Sequence, residues 1–335
     1  MILENKKNYG QFYTKRANYI IGNLINDIPE NVKLIEPYCG SGDLLILDGD
    51  WEIYDIDPKT KDTIQQDTLL NPPCYKNKFV ITNPPFLYKN KNNDKTIYDK
   101  YNVSDLYKAA IITLLECDGG ILILPLNFLC DEDDKIRNIF FESFKILNLN
   151  IFEETVFDDT SYTICSFSFI KKDVKDNIML IPTKIFPSKE EIIIELNSDV
   201  SWRIGGEFHK IINNQKNIGI SRLVENSKTP NSNIYLRAID TGTMDGRIDL
   251  SLNYNHFYGK NTDRTFATII LDKIYTQDDQ QKICEEFNTI LESYRLKYNS
   301  LFLTNYRNST KAYSRKRISF DVCYKLISYI INNKL

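Results

Sequence analysis

Val32-Lys33-Leu34-Ile35-Glu36-Pro37-Tyr38-Cys39-Gly40-Ser41-Gly42 sets a short apolar run directly before a turn with two glycines one residue apart. The run Val32 to Ile35 reads as a first buried strand. Gly40 and Gly42, between that strand and the helix expected next, let the backbone approach a ligand where a Cβ would obstruct it. Outward from this point the grammar repeats. Trp51-Glu52-Ile53-Tyr54 predicts a second strand, Phe79-Val80-Ile81-Thr82 a later buried one, and Gly120-Ile121-Leu122-Ile123-Leu124 another. Ser104 is the expected cap of a helix over Asp105 to Cys117, which Asp118-Gly119-Gly120 ends. Strands alternating with amphipathic stretches predict an α/β fold with a doubly wound, mostly parallel sheet. Two further runs, Leu149 to Val156 and Tyr162 to Ile170, are parted by Asp158-Asp159-Thr160-Ser161 and predict a terminal hairpin on that sheet. The polar stretch Lys89 to Tyr101 reads as a mobile loop.

Such a sheet binds its ligand outside the carboxyl ends of its strands, so the segments that follow the strands carry the chemistry. After the second strand stand Asp55 and Asp57, either of which can accept hydrogen bonds from both hydroxyls of a ribose. A third acid, Asp67, precedes Leu69-Leu70 at the next strand end. Together the three acids point to a nucleoside-bearing cofactor. The sharpest signal is Asn83-Pro84-Pro85-Phe86, directly after the buried strand Phe79 to Thr82. Two prolines fix the backbone and remove competing donors, so the Asn83 side chain and the Pro84 carbonyl can converge on one amino group. Two acceptors aimed at an amine localise its lone pair and prepare it to attack an electrophilic methyl. Phe86 offers a flat surface for a base, and base–aromatic stacking is worth ~1–3 kcal/mol, of the order needed to extrude one. Asn71-Pro72-Pro73-Cys74 repeats the dipeptide upstream but follows no buried strand, and Cys74 is read as incidental.

The chain of 335 residues, 42% hydrophobic, fills a real core. No apolar run approaches the ~18–20 residues of a membrane span, and the first residues lack a signal-peptide pattern, so an intracellular location is expected, away from any membrane. Seven scattered cysteines without a Cys-x-x-Cys pair, and only His209 and His256, exclude a disulfide framework, a zinc site and a histidine relay as readings; no metal is expected. Residues 1–172 carry 19 Lys+Arg against 26 Asp+Glu, whereas 173–335 carry 23 against 19. A basic half beside an acidic half suits a partner that is a polyanion. From Arg295 to Arg317 there are seven basic residues and no acid, interleaved with Tyr298, Tyr306 and Tyr313. Arg307, Lys311, Arg315, Lys316 and Arg317 are therefore candidate phosphate contacts, and Arg237, Arg247 and Arg264 candidate base readers. Beyond residue 183 the pattern becomes less regular, with a hairpin expected over Ile234 to Asp240 and Arg247 to Leu252. Helices follow over Gln277 to Leu301 and Phe320 to Ile331.

The order of these motifs resembles the gamma class, or Taq-type, of S-adenosylmethionine-dependent DNA adenine-N6 methyltransferases. Gly10-Gln11-Phe12-Tyr13-Thr14 is similar to the segment that closes over the cofactor's methionine end in that family. Glu36 to Gly42, with Pro37 and Gly40, resembles the cofactor-binding turn. The resemblance implies Asp55 at the ribose, Asp67 at the cofactor adenine, Asn83 to Phe86 as the catalytic loop, and Phe157 as a second aromatic packing on a flipped base. It spans about residues 8–172. Two departures stand out: Lys15 replaces a usual proline, and the stretch from Gly42 to Asp55 is short, with room for about two helical turns.

The resemblance implies a Rossmann-like methyltransferase sheet with a terminal hairpin in a catalytic domain over 1–182. A smaller α+β target-recognition domain is implied over 183–335. It further implies methyl transfer from S-adenosylmethionine to the N6 amine of a flipped adenine in a specific double-stranded DNA sequence. The expected chain is a monomer or weak dimer, in a prokaryotic cytoplasm or a virus-infected cell, compatible with a separate cognate restriction endonuclease. Two other readings stay open: a methyltransferase of RNA or of protein glutamine, and a catalytically silent DNA-binding subunit.

Overall fold

The computed structural model describes residues 10, 12–158, 160, 162–174, 176–225, 229–240, 246–308 and 314–335; of 304–308, 314 and 315 it describes the backbone alone. The chain forms two compact units, Met1–Trp202 with Asn308–Ala312, and Arg203–Arg307 with Tyr313–Leu335. The expected boundary at 182/183 falls inside a strand of the first unit, because an extra hairpin extends its sheet.

The first unit is built on nine strands: β1 (Lys33–Glu36), β2 (Asp50–Asp55), β3 (Ile64–Gln65), β4 (Phe79–Thr82), β5 (Gly119–Pro125), β6 (Phe144–Phe152), β7 (Ile164–Lys171), β8 (Ile178–Phe186) and β9 (Glu190–Asn197). Their order is β3-β2-β1-β4-β5-β7-β6-β8-β9. β1 to β5 are parallel neighbours; β7 enters antiparallel between β5 and β6. This is the α/β, Rossmann-like sheet expected from the sequence. The hairpin β6–β7 is not terminal, however, since β8 pairs with β6 in parallel and β9 closes the edge. β4 and β5 are buried along their whole length, as strands covered on both faces must be, and their residues form continuous apolar runs.

Alternation along β7 shows how both faces are covered. Phe167 and Phe169 point to one side, where they meet Phe128 of α4 (Asn127–Cys130) and Phe140 of α5 (Lys135–Ser143), with ring centroids 5.4–6.1 Å apart. Ser166 and Ser168 point to the other. Ser166 donates to the Ile20 carbonyl at the end of α1 (Ala17–Ile21) at 2.6 Å, and Ser168 donates to Asp27. Asn150 and Asn148, their register partners on β6, bond to the same two groups. A polar seam thus satisfies the backbone end of α1 on one face while an aromatic cluster fills the other.

Three local expectations are corrected. No helix lies between β1 and β2; the glycine turn runs through bends straight into β2. The stretch read as a mobile loop contains a short 3-10 turn, Lys89–Lys91, and α2 (Thr96–Tyr101), anchored by Asp94, whose Oδ1 accepts from the Thr96 amide at 2.9 Å. Helix α3 spans Leu106–Thr113 and begins after Asp105, while the Ser104 hydroxyl accepts from Lys108 Nζ at 3.1 Å and caps nothing.

The second unit is α+β, as expected. Helix α6 (Gly206–Asn213) precedes a sheet ordered β10-β13-β11-β12, with β10 (Ser221–Arg222), β11 (Ile234–Arg237), β12 (Asp249–Leu252) and β13 (Phe266–Ile270). The expected hairpin is the antiparallel pair β11–β12. The long helix is α7 (Gln277–Tyr298), whose first turn is capped by Thr276 accepting from the Asp279 amide at 3.1 Å. Asn288 on α7 donates to the Leu250 carbonyl at 2.8 Å and accepts from the Leu250 amide at 2.9 Å, which satisfies the open edge of β12. A two-stranded ribbon, β14 (Thr304–Asn308) and β15 (Ser314–Arg317), and α8 (Phe320–Asn333) follow.

Gly120, paired with Val80 across β4 and β5, has φ +151°, and a Cβ there would lie 1.8 Å from the Val80 carbonyl oxygen. Gly120→Ala is expected to destabilise the chain by ~3 kcal/mol or more, because rigid backbone rather than a side chain must move. Urea denaturation followed by circular dichroism checks this; a loss below ~1 kcal/mol would show that the two strands separate there with little penalty.

Candidate active site

From β1 the chain continues to β2 and β3 on one side, and β4 pairs on the other side of β1. This reversal of order places a crevice at the carboxyl ends of β1 and β4. Glu36 ends β1 and is 1% exposed. Its Oε1 accepts from the Thr82 hydroxyl at the end of β4 at 2.5 Å and from the Tyr38 amide at 2.9 Å, so one carboxyl ties the two strand ends together. Its Oε2 is buried without a partner. Burial pushes the Glu36 carboxyl up to about 8, against the smaller opposing effect of its two hydrogen bonds.

The glycine turn is held by Asp55 at the end of β2. Asp55 Oδ2 accepts from the Gly40 amide and Oδ1 from the Asp57 amide, both at 2.7 Å. Burial raises its pKa. Gly40 has φ +55°, and a Cβ there would meet the Tyr13 ring at 2.8 Å, so the turn and the aromatic can touch only because residue 40 lacks one. The structure separates the two acids left open by the sequence: Asp55 lines the crevice, whereas Asp57 points outward and pairs with Lys59. Asp67 also lines it, its Oδ1 accepting from the Leu69 and Leu70 amides at 3.1 and 2.9 Å.

Asn83 follows β4. Its Nδ2 donates to the Phe12 carbonyl at 2.7 Å and to Thr14 Oγ1 at 3.0 Å, and its Oδ1 is buried without a partner. A carbonyl oxygen only accepts, so the nitrogen of the amide must face Phe12 and the free acceptor must face away from it. The peptide beyond Phe86 is clamped from three sides: Asp105 accepts from the Leu87 amide at 3.0 Å, and the Tyr98 hydroxyl and Leu106 amide donate to the Leu87 carbonyl at 2.8 and 3.3 Å. Burial pushes the Asp105 carboxyl up to about 6. The Phe86 amide donates to the Gly10 carbonyl at 3.0 Å, which completes the seam between the segment 10–14 and the Asn-Pro-Pro-Phe loop.

The crevice encloses about 450 Å³, within the range of small-molecule sites. Phe12, Tyr13, Gly40, Asp55, Asp67 and Asn83 line it together with Pro85. Thr14, Glu36, Pro37, Gly42, Pro84 and Phe86 do not line it; Gln11 lies outside the described residues. Phe86 and Phe157, the two expected stacking surfaces, are each 3% exposed. Phe12 stacks on Phe86 at 5.6 Å and tilts against Phe157 at 6.3 Å, so the face expected to be open is covered.

Sequence reading missed Tyr38, Ile56, Gln66, Thr68 and Leu69 on the wall, and a rim formed by Lys91, Asn92, Asn93, Asp94 and Ile97. Ile56, an apolar residue between two acids just past a strand, was a usable signal. The rim carried none, because its polar composition matched that of a surface loop.

In the second unit Arg237 Nε lies 3.7 Å from Asp249 Oδ1, and Arg247 donates to both oxygens of Glu292 at 3.2 Å. Arg264 is exposed. Within the basic run, Lys316 is 2% exposed and Arg295 is buried, donating to the Ile248 carbonyl at 3.0 Å, so these two build the unit's interior and do not present charge to a phosphate. Arg317 lies over the Phe320 ring at 5.8 Å. Lys311 lies outside the described residues, as do the side chains of Arg307 and Arg315. Cys74 is exposed, the other six cysteines are buried, and none of the seven is in a disulfide. Among the described residues no group of three His, Cys, Asp or Glu side chains is placed to hold a metal ion, and no helix is long and apolar enough to cross a membrane.

Because the folded state raises the Glu36 pKa, the folded chain holds a proton there that the unfolded chain releases above about 4.5. Stability from this group is therefore full below about 4.5 and falls as pH rises through about 8, by at most ~1.4 kcal/mol per pH unit. Glu36→Gln is expected to flatten that slope in urea melts taken from pH 5 to 8.5; an unchanged slope would remove Glu36 as its source.

No protein-family model and no curated protein matches the chain. Solved structures that are similar include a modification subunit assigned to a type I restriction enzyme of Vibrio vulnificus YJ016, 12% identical over 64% of this chain and 55% of that one, with a TM-score of 0.43. A second is a protein of Listeria monocytogenes assigned as a class I S-adenosylmethionine-dependent methyltransferase, 19% identical over 53% and 66%, TM-score 0.42. A third is the type I restriction-modification methyltransferase subunit of Streptococcus thermophilus, 16% identical over 52% and 47%, TM-score 0.39. This chain spans about half to two thirds of the length of those proteins. At these scores the likeness carries no weight for the chemistry of the crevice, which stands on its own residues.

Proposed function

We propose that this chain transfers a methyl group from S-adenosylmethionine to the N6 amine of adenine in double-stranded DNA. The observation that supports this most directly is Asn83: a buried amide whose two N–H donors are consumed and whose oxygen has no partner, on the wall of the crevice. Leaving a buried acceptor unpaired costs ~1–3 kcal/mol, a penalty that a donor brought by a substrate relieves.

An exocyclic amine is such a donor. Accepting one N–H at Asn83 Oδ1 draws the amine's lone pair out of conjugation with the ring and points it along one direction; the Pro84 carbonyl, which does not line the crevice, would have to turn toward it to accept the other. S-adenosylmethionine, when bound, supplies an electrophilic methyl on a sulfonium sulfur. Asp55 would accept from ribose hydroxyls with the lone pairs its two backbone bonds leave free, Asp67 would accept from the cofactor's adenine amine, and an ammonium brought near the end of β1 would favour the ionised form of Glu36, whose Oε2 has no partner, against the burial that keeps it protonated. The amine that attacks gains a bond to the methyl carbon as that carbon's bond to the sulfonium sulfur breaks, the electron pair passing to sulfur to leave a neutral thioether, and the amine then loses one of its protons to water. Rate enhancement then comes from positioning and from fixed dipoles. For a base to stack on Phe86, the ring of Phe12 has to turn aside. The second unit serves in this reading as the target-recognition domain, with Arg264 exposed on its surface; a cognate restriction endonuclease is a compatible partner.

The test is incubation with methyl-labelled S-adenosylmethionine and unmethylated plasmid DNA, followed by nucleoside mass spectrometry and by calorimetry of cofactor binding. Labelled N6-methyladenine is expected, falling by ~10²-fold or more in Asn83→Ala with cofactor affinity kept. Cofactor binding without transfer to DNA would redirect the assignment to RNA or a protein glutamine. Absence of cofactor binding would leave a silent DNA-binding subunit.

A further inference from the structure

The resemblance of Gly10 to Thr14 to a cofactor-closing segment implies that Thr14 touches the cofactor. The geometry gives it a different role. We infer that Thr14 is a positioning residue for Asn83, and that its hydroxyl fixes the plane in which the Asn83 oxygen is presented. This deepens the proposed methyl transfer and rests on it for its catalytic meaning.

Thr14 is 4% exposed and does not line the crevice, while Asn83 is 8% exposed and does. Two contacts hold the amide, and they do different things. The Phe12 carbonyl, at 2.7 Å, decides which end of the amide is nitrogen, because an oxygen placed there would face an oxygen. That single bond still leaves the amide free to swing about its own N–H···O axis, carrying Oδ1 with it. The second N–H points about 120° away from the first, and its acceptor is Thr14 Oγ1 at 3.0 Å. Two diverging bonds from one nitrogen fix a plane. Both groups are shut away from water, so a lost hydroxyl has no solvent substitute. Pro84 and Pro85 fix the backbone on the other side of Asn83, and the side chain is the remaining freedom. The segment 10–14 removes it through Thr14.

Thr14→Val keeps the shape and removes the acceptor; Thr14→Ala removes it with less bulk, should the valine not fold; Thr14→Ser restores it. Steady-state transfer to plasmid DNA and cofactor calorimetry are measured on the full chain, together with the side-chain amide signals of Asn83 in a nitrogen-15 spectrum, assigned by their loss in Asn83→Ala. The expected result is a fall in kcat of ~10- to 100-fold in the valine and alanine variants, cofactor affinity within ~3-fold of wild type, and recovery in the serine variant. One of the two Asn83 amide protons should also lose its protection from exchange. Weakened cofactor binding with kcat preserved would make Thr14 a cofactor ligand, and unchanged Asn83 amide signals would overturn the inference outright. The amide signals need no substrate, so a wild-type chain inactive on DNA would sink the proposed function while the role of Thr14 is still decided.

Discussion

The carboxyl of Glu36, buried between the ends of β1 and β4, is the interaction on which the crevice depends. Parallel strands on either side of a reversal in strand order leave their carboxyl ends open, and nothing in the sheet ladder itself joins those ends. Glu36 does so with one oxygen, to Thr82 on one strand and to the first turn of the loop on the other. Asn83 is the next residue after Thr82, and Gly40 is four residues after Glu36. The Asn-Pro-Pro-Phe loop and the glycine turn are therefore referenced to the same buried group. Asp55 repeats the device one strand further out, committing both oxygens to the turn's amides. Two carboxyls thus do the organising that a helix start does in many phosphate-binding turns, which fits the absence of a helix between β1 and β2.

The sheet was legible because β4 and β5 are buried on both faces and are written as uninterrupted apolar runs. Asn83 to Phe86 was legible because proline restricts a backbone in a way that can be read without coordinates. The hairpin β8–β9 was not foreseen, since Ile178, Leu180 and Ile193 leave apolar side chains exposed on its outer face and blur the alternation that marks a strand. The missing helix and the cap at Asp105 turned on short segments, where one hydrogen bond to a distant residue, here Leu87, outweighs local preference. The choice between Asp55 and Asp57 needed the direction of two side chains that differ by two positions, which spacing alone does not carry.

Charge in the second unit shows the opposite limit. A run of seven basic residues without an acid reads as a surface for a polyanion, yet two of its members are interior. Arg295 reaches the Ile248 carbonyl and Asp240, and Lys316 is buried. Acids that neutralise the run lie outside it: Glu207 and Asp240 far away in sequence, and Glu292 one helical turn before Arg295. Counting signs within a window misses partners that folding brings in from outside it.

Phe12 has two allegiances that pull apart. Its carbonyl oxygen holds the Asn83 amide, while its ring lies over Phe86. A planar guest that takes the place of the ring must leave the carbonyl where it is, so the only movement open to the residue is rotation about the bond between Cα and Cβ. Such a hinge is fast compared with a loop opening. It makes entry of the guest a matter of swapping one aromatic face for another, with almost no net change in buried apolar surface, and so removes from the affinity most of what stacking would otherwise contribute. Recognition then has to come from the rest of the contact with the partner, while the pocket retains the power to orient.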